Sequence, residues 1–460
     1  MKILFLHILL ALCSVTALTS CNSDDDLNVI LSPYDQYGSP FSNMPKPKDA
    51  IIYQVNLRAF SEAGTIEGVR ERLSHIKSLG ANVIYLMPIY PVGVLNSVGE
   101  LGSPYSVRDY KSVSEEYGSL SDLRALVDEA HNMDMAVVLD WVANHTSWDN
   151  AWITDHPDWY QKDDTGNMTP PPGTGWNDVV QLDFKNSELR KAMIDAMSYW
   201  VYSANIDGFR CDYADGVQQS FWAEAITTIR SIKKQDMLML AEGTRRNHFD
   251  VGFDYTFGFK YFETLEKVFA EGEPATSLQD MNAEEYNNNY DDDNRIVRYT
   301  TNHDVNITNG TPIELYGGKQ GSLAAFVVAA YMKSVPMIYN GQEIGYTQRI
   351  PFFNKTPIDW NTADNDMFAE YQKIIEFRKN SEAIKRGIYR GYSSNAVSAF
   401  TMKTDNETVL VLSNLTNGIV KYIIPASLSD TWVNAFTNES LILNSEMALS
   451  PYQYIILKNN

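Results

Sequence analysis

The chain has 460 residues, a formal net charge of −21, and an ordinary globular composition rich in aromatics, with 27 Tyr, 19 Phe and 9 Trp. That length predicts two or three domains with ample apolar content for a large core. The acidic balance argues against nucleic acid and anionic lipid surfaces as partners. It fits neutral ligands such as sugars, on whose faces aromatic rings stack.

Residues 1–21 read as an export signal. Lys2 precedes an apolar run over 3–12, small residues follow, and the run is too short to span a membrane as a helix. Leu18-Thr19-Ser20-Cys21 resembles a bacterial lipoprotein cleavage box, which implies that Cys21 becomes the lipidated first residue of the mature chain. The acidic Asp24-Asp25-Asp26 resembles the tag of surface-displayed Gram-negative lipoproteins, so a membrane anchor at the outer membrane or cell surface is expected. With Cys13 removed and Cys21 lipidated, only Cys211 remains, and no disulfide within one mature chain is expected. Residues 22–48, with prolines among serines, read as a tether.

From 49 to 385 short apolar runs alternate with helical stretches. Strands are expected at 51–55, 82–87, 135–139, 206–209, 237–240, 251–255, 296–299 and 335–339. Helices are expected at 67–79, at 121–133 with Ser121 as its cap, and at 187–204, 218–234, 259–270 and 322–333. Eight strands alternating with helices predict a (β/α)8 TIM barrel of parallel strands. A doubly wound open sheet is the alternative, but no glycine-rich phosphate fingerprint follows the first strand.

Residues 146–185, rich in Trp, Asp, Pro and Gly, are too long for a plain connection and predict a small excursion domain after the third strand. Trp148, Trp152, Trp159 and Trp176 are expected mostly to pack its core, with one or two left to stack on substrate. The asparagine-rich stretch 287–294 reads as a solvated loop. After a helix over 366–385, the runs 397–402, 408–413, 420–424 and 452–457 alternate at period two, predicting a C-terminal antiparallel β-sandwich over 386–460.

Arg210 and Asp212 lie two apart at the end of the fourth strand, so both side chains project to the same side. The guanidinium is expected to keep the Asp212 carboxylate ionised. The third strand ends in Asp140, with Asn144 and His145 just beyond. The fifth is followed by Glu242, and the seventh by Asn302-His303-Asp304. In this architecture the C-terminal strand ends converge on one mouth. Three carboxylates with two histidines and an arginine, and no phosphate loop, point to glycoside chemistry, which needs one ionised carboxylate and one protonated acid flanking the bond. Glu242 follows an apolar run and faces two other carboxylates, which suits it to carry the proton.

Asp140-Trp141-Val142-Ala143-Asn144-His145, Gly208-Phe209-Arg210-Cys211-Asp212, Glu242-Gly243 and Asn302-His303-Asp304 resemble the four ordered motifs of the α-amylase family, glycoside hydrolase family 13. Pro104-Tyr105 with Asp109-Tyr110, and Gly341-Gln342-Glu343, resemble further signatures after strands two and eight. The resemblance runs from near Lys46 through the terminal sandwich. It implies a retaining hydrolase of the α-1,4 bonds of starch, maltodextrins or related α-glucans. Asp212 would be its nucleophile, Glu242 its acid/base, and Asp304 a third carboxylate gripping sugar hydroxyls. His145 and His303 would hydrogen-bond the same ring, Tyr105 would stack beneath it, and Arg210 would orient the nucleophile.

Asn144 and Asp183 match calcium positions of the family, and Gly216 offers a carbonyl, so Ca2+ is an expected cofactor. Many relatives carry Lys-His where this chain has Asp215-Gly216, which puts a leaving-side sugar contact and the calcium in doubt. The run from Asp212 to Val217, with Phe221-Trp222, leans towards relatives acting on cyclic or short maltodextrins. A transglycosylase of the same family stays open. A non-catalytic glucan-binding lipoprotein is disfavoured, since a decayed site should have lost an acid and all three are present.

Overall fold

Eight parallel strands close into a barrel in the computed structural model, which describes residues 33–233, 237–286 and 294–459. Cys21, the export signal and Asp291-Asp292-Asp293 lie outside the described residues. The unit Gln36–Asn460 is described here by itself. Its barrel strands are β1 Ile52–Val55, β2 Val83–Leu86, β3 Ala136–Trp141, β4 Gly208–Cys211, β5 Leu238–Ala241, β6 Tyr255–Phe257, β7 Arg295–Arg298 and β8 Ser334–Tyr339. Closure comes from β1, where Ile52 pairs with Val83 on one side and Met337 on the other.

The period of two in each strand sorts side chains into an inside and an outside. Ile52, Val83, Tyr85, Ala136, Val138, Leu238, Leu240, Val297 and Met337 fill the barrel interior. The residues between them, such as Tyr53, Ile84, Val137, Leu139, Phe209 and Met239, pack outward against the helices. Each such buried aliphatic side chain contributes roughly 1.5–3 kcal/mol of transfer free energy. Carried one step further up each strand, the inward parity reaches Gln54, Asp140, Arg210 and Glu242. The top layer of the interior is therefore polar.

Several expected boundaries shift. The sixth strand forms at Tyr255–Phe257, because residues Arg246–Val251 wind into a 3-10 helix that ends at left-handed Gly252. The helix expected over 67–79 breaks into Ile66–Arg70 and Leu73–Leu79, with Arg72 leaving helical geometry. Ser119 replaces Ser121 as a cap: it accepts the Asp122 N–H while Asp122 accepts from its backbone, starting the helix at Leu120–Asn132. The helix expected from Ser322 starts a turn earlier, at Lys319–Tyr331, and that over 366–385 divides at Ser381.

Residues 36–48 are not a free tether. Tyr37 donates its backbone N–H to Tyr202 O at 2.7 Å, and buried Phe41 stacks on His131 at 4.5 Å. Phe41 also joins the interior cluster, covering apolar surface at the N-terminal end of the barrel.

After β3 the excursion pairs His145–Ser147 antiparallel with Val179–Gln181. The C-terminal region holds a six-stranded antiparallel sheet, ordered Ile388–Gly391, Val397–Lys403, Thr408–Asn414, Tyr454–Asn459, Thr431–Asn434 and Ser440–Ile442. A two-stranded sheet, Val420–Ile423 with Glu446–Leu449, packs with it through Leu410, Leu412, Tyr422, Leu449 and Leu457.

Candidate active site

Arg210 rises from β4 into the polar top layer and is fully buried. Its Nη1 donates to Asp140 Oδ1 at 2.7 Å and to Asp212 Oδ1 at 2.9 Å, and its Nη2 pairs with Glu242 Oε1. The guanidinium also stands 5.7–5.9 Å from the ring centres of Tyr105, Phe257 and Tyr85, within cation–π range. One cation thus joins carboxylates from three neighbouring strands, which β-pairing sets side by side: Asp140 is opposite Arg210, and Arg210 is opposite Leu240.

A second chain of bonds runs round the rim. Tyr85 Oη donates to Asp140 Oδ2 at 2.6 Å, and Tyr105 Oη donates to the same oxygen at 3.0 Å. Having spent its proton there, Tyr105 Oη accepts from His303 Nε2 at 2.7 Å. His303 Nδ1 then accepts from Gln54 Nε2 at 2.8 Å. The network assigns His303 the neutral Nε2–H form. Burial, reinforced by the Arg210 charge, lowers the His303 pKa to about 3. Burial lowers that of His145 to about 4.

The carboxylates move the other way. Burial raises Asp140 to about 6 against the pull of Arg210. Burial, then the like charge of Glu242, pushes Asp212 well above the usual carboxylate range, again against Arg210. Burial raises Asp304 as well. Arg210, expected to keep Asp212 ionised, does pull its pKa down, but burial and the Glu242 charge outweigh that pull. One positive charge is divided among three carboxylates, so it cannot offset burial and mutual repulsion at each of them.

A cavity of about 280 Å³ opens above this layer and is lined by Asp212, Glu242, Asp304, Tyr105, His145 and His303. Six of the seven expected catalytic and substrate-contacting residues share that lining, and Arg210 lies beneath. Gln54 and Tyr85 went unrecognised in the sequence. Their signal was present in the alternation of β1 and β2, which turns both inward. Of the excursion tryptophans, Trp159 is buried and Trp152 stacks on Tyr110 at 5.1 Å. Trp148 donates its indole N–H to Asn177 O at 2.9 Å. Trp176 alone of the four lines the cavity, set edge-on to His145 and Tyr213.

The expected calcium donors do not assemble. Asn144 Oδ1 accepts Gln181 Nε2 at 2.9 Å, and Asn144 Nδ2 donates to Gln181 Oε1 at 3.1 Å. An amide N–H thus stands where a hard cation would need that oxygen. Asp183 faces an outer groove with Asp158, Lys162 and Lys185, and accepts the Lys185 N–H at 3.1 Å. Gly216 does lie beside Asn144. Among the described residues, no group of three or more His, Cys, Asp or Glu is arranged to hold a metal ion. This donor set does not fit calcium.

A closed parallel barrel with this constellation at its C-terminal mouth defines an enzyme of glycoside chemistry, a hydrolase or a transferase. The chain belongs to the alpha-amylase family: the model of the alpha amylase catalytic domain matches residues 36–172 and 173–363. It is 26% identical to Alpha-amylase 2 of Dictyoglomus thermophilum, over 83% of this chain and 72% of that one. It is also 26% identical to an alpha-1,4-glucan:maltose-1-phosphate maltosyltransferase of Rhodospirillum rubrum, over 79% and 54%. The crystal structure of an alpha-amylase from Lactobacillus plantarum superposes with a TM-score of 0.81, at 26% identity over 90% of this chain and 99% of that one.

Proposed function

We propose that this protein is a retaining hydrolase of α-1,4-glucosidic bonds in starch, maltodextrins or related α-glucans. The observation that carries the reading is the shared guanidinium, which holds Asp212 and Glu242 together in the lining of one sugar-sized cavity. Asp212 attacks the anomeric carbon while Glu242 protonates the leaving oxygen. Glu242 then takes a proton from water, which releases the sugar from Asp212. Burial and like charge push Asp140 and Asp212 upward against the pull of Arg210. Attack requires a proton on Glu242, with Asp212 bare. Arg210 touches both carboxylates and stabilises whichever is ionised.

Asp304 would hold sugar hydroxyls, and Tyr105 would stack on the ring. His303 is neutral with both ring nitrogens engaged, Nδ1 by Gln54 and Nε2 by Tyr105, so a sugar hydroxyl would take the Nε2–H in place of the Tyr105 oxygen, and His145, also neutral, lines the same cavity. The maltosyltransferase relative supports a second reading, in which another sugar replaces water as acceptor. The lipoprotein box at Cys21 supports display on a bacterial outer membrane or cell surface.

Chromatography of a short incubation with maltoheptaose tests the function. Shorter sugars alone mean hydrolysis, longer ones mean transfer, and an unchanged substrate overturns both. Asp212→Asn should lose several orders of magnitude in turnover while still binding glucan. Near-normal activity in that variant overturns the assignment of the nucleophile.

A further inference from the structure

Asp215 lies three residues past Asp212, in the 3-10 turn Ala214–Gly216, yet does not line the cavity. Its side chain is 26% exposed and spends both oxygens on the loop after β5. Oδ2 accepts the Thr244 N–H at 3.0 Å, while Oδ1 accepts the Arg245 N–H at 3.3 Å and His248 Nε2 at 2.7 Å. Burial works against the charge, but the His248 bond and these N–H groups outweigh it and hold Asp215 below the usual carboxylate range. The acceptor is therefore ionised, and bonds to an ionised acceptor are roughly twice as strong as neutral ones.

The loop it holds begins with the proton donor. Pairing secures Glu242 from the strand side, where its N–H donates to Cys211 O at 3.0 Å. The next residue, Gly243, has no side chain to anchor it, and Thr244 to Asn247 beyond it are exposed. A Cβ on Gly243 would stand 2.6 Å from Asp215 Oδ1 and 2.8 Å from His248 Nε2, so the glycine lets the two loops close on each other. His248 is buried and meets the ring of buried Phe253 edge-on at 5.3 Å. Trp222, fully buried, also meets Phe253 edge-on, and it donates its indole N–H to Ala214 O at 3.1 Å. Both ends of the clasp are thus tied to one buried aromatic pair.

We propose that Asp215 is a positioning residue for Glu242: by clasping Thr244, Arg245 and His248 it fixes the turn after β5, and so aims the Glu242 carboxyl at the departing oxygen. The inference rests on the hydrolase reading given above. In the step it serves, the bond from the anomeric carbon to that oxygen breaks, the Glu242 proton passes to the oxygen, and Asp212 bonds to the carbon. Misplacing a reacting group by about 1 Å costs on the order of 100-fold, so a slack turn is felt in proton delivery. Asp212 is held by Arg210 and by its own N–H on Trp141 O, outside the clasp.

Two substrates separate the roles. α-Maltosyl fluoride releases fluoride, a stable anion that needs no proton, whereas a sugar oxygen leaves only with one. In Asp215→Ala, kcat/KM for maltoheptaose should fall about ten- to hundredfold, carried by kcat, while kcat/KM for α-maltosyl fluoride stays within about twofold. Asp215→Asn keeps the shape and one acceptor oxygen. It should fall about three- to tenfold on maltoheptaose alone, and it decides if the alanine variant does not fold. An equal fall on both substrates overturns the proposal, because a merely structural residue loosens the whole site. A loss confined to KM overturns it in favour of a direct contact between Asp215 and sugar. Wild type that cleaves neither substrate overturns the glucan reading itself, whereas unchanged maltoheptaose kinetics in both variants overturn only the clasp.

Discussion

Tyr213 donates its backbone N–H to Glu242 Oε2 at 2.7 Å, from a left-handed conformation at φ +40°. The next N–H, of Ala214, donates to Glu242 O at 2.9 Å. The turn directly after Asp212 therefore cradles the neighbouring carboxylate. A non-glycine residue in the left-handed region costs roughly 1–2 kcal/mol, which the surrounding contacts offset here. Tyr213→Gly keeps that geometry and should retain kcat within a few-fold. Tyr213→Val, whose branched Cβ disfavours it, should lower kcat by about ten- to hundredfold. Equal kcat in the two variants would show that the N–H plays no part.

Gly216 should tolerate no side chain. A Cβ there would stand 2.4 Å from the Tyr213 ring and 2.6 Å from Asn144 Oδ1. Gly216→Ala is expected to destabilise the fold by about 1–3 kcal/mol, as overpacking does. It should also lower kcat, because Tyr213 must shift off Glu242. Urea unfolding and initial rates on one preparation measure both effects.

The buried histidines give stability a pH dependence of defined sign. Both are lowered in the folded protein, so as pH falls the unfolded chain takes the proton first, near 6.5. The stability each contributes is complete above that pH and is lost as pH falls towards about 4 for His145 and about 3 for His303. Asp140, raised to about 6, works in the opposite sense: its penalty appears as pH rises from the ordinary carboxylate range through 6. His145→Gln removes one contribution. Relative to wild type it should gain about 2 kcal/mol between pH 7 and pH 4.5 by urea unfolding. Parallel stability curves for the two proteins would rule out a neutral buried His145.

The product should keep its anomeric configuration. Asp212 and Glu242 are held by the two terminal nitrogens of one guanidinium, a narrow span. Retention goes with carboxyl separations of about 5–5.5 Å, and inversion with about 6.5–9.5 Å, which leaves space for a water. Proton NMR in the first minutes of maltoheptaose cleavage should show the α-anomer leading, with the β-anomer following by mutarotation. A leading β signal would contradict Asp212 as nucleophile.

Cys21→Ala should release the protein from membranes with activity intact, since a single lipidated cysteine is the anchor that the leader implies. Among the described residues no helix is long and apolar enough to cross a membrane. Detergent-phase partitioning that survives the substitution would point to another anchor.

The barrel and its acids were legible from local pattern. Period-two runs separated by helical spacing identify eight strands, and a carboxylate just past a strand end can point only to the mouth or away from it. Asp212, Glu242, Asp304, His145 and His303 follow strand ends in the chain, and all five line one cavity in the structure. Charge state was not legible, because it depends on how many partners share one cation. Arg210 beside Asp212 reads as a pair, yet folding brings in Asp140 and Glu242 from neighbouring strands and turns the Asp212 shift upward. The calcium set failed for a related reason: Asn144 is paired off by Gln181, which lies 37 positions further along the chain. Phe41, in a stretch composed like a linker, is held by an apolar surface that exists only once the barrel has closed. Strand position and side-chain parity follow from neighbours in the chain. Protonation, metal fit and the docking of residues 36–48 follow from neighbours in space, which the closure of the barrel selects.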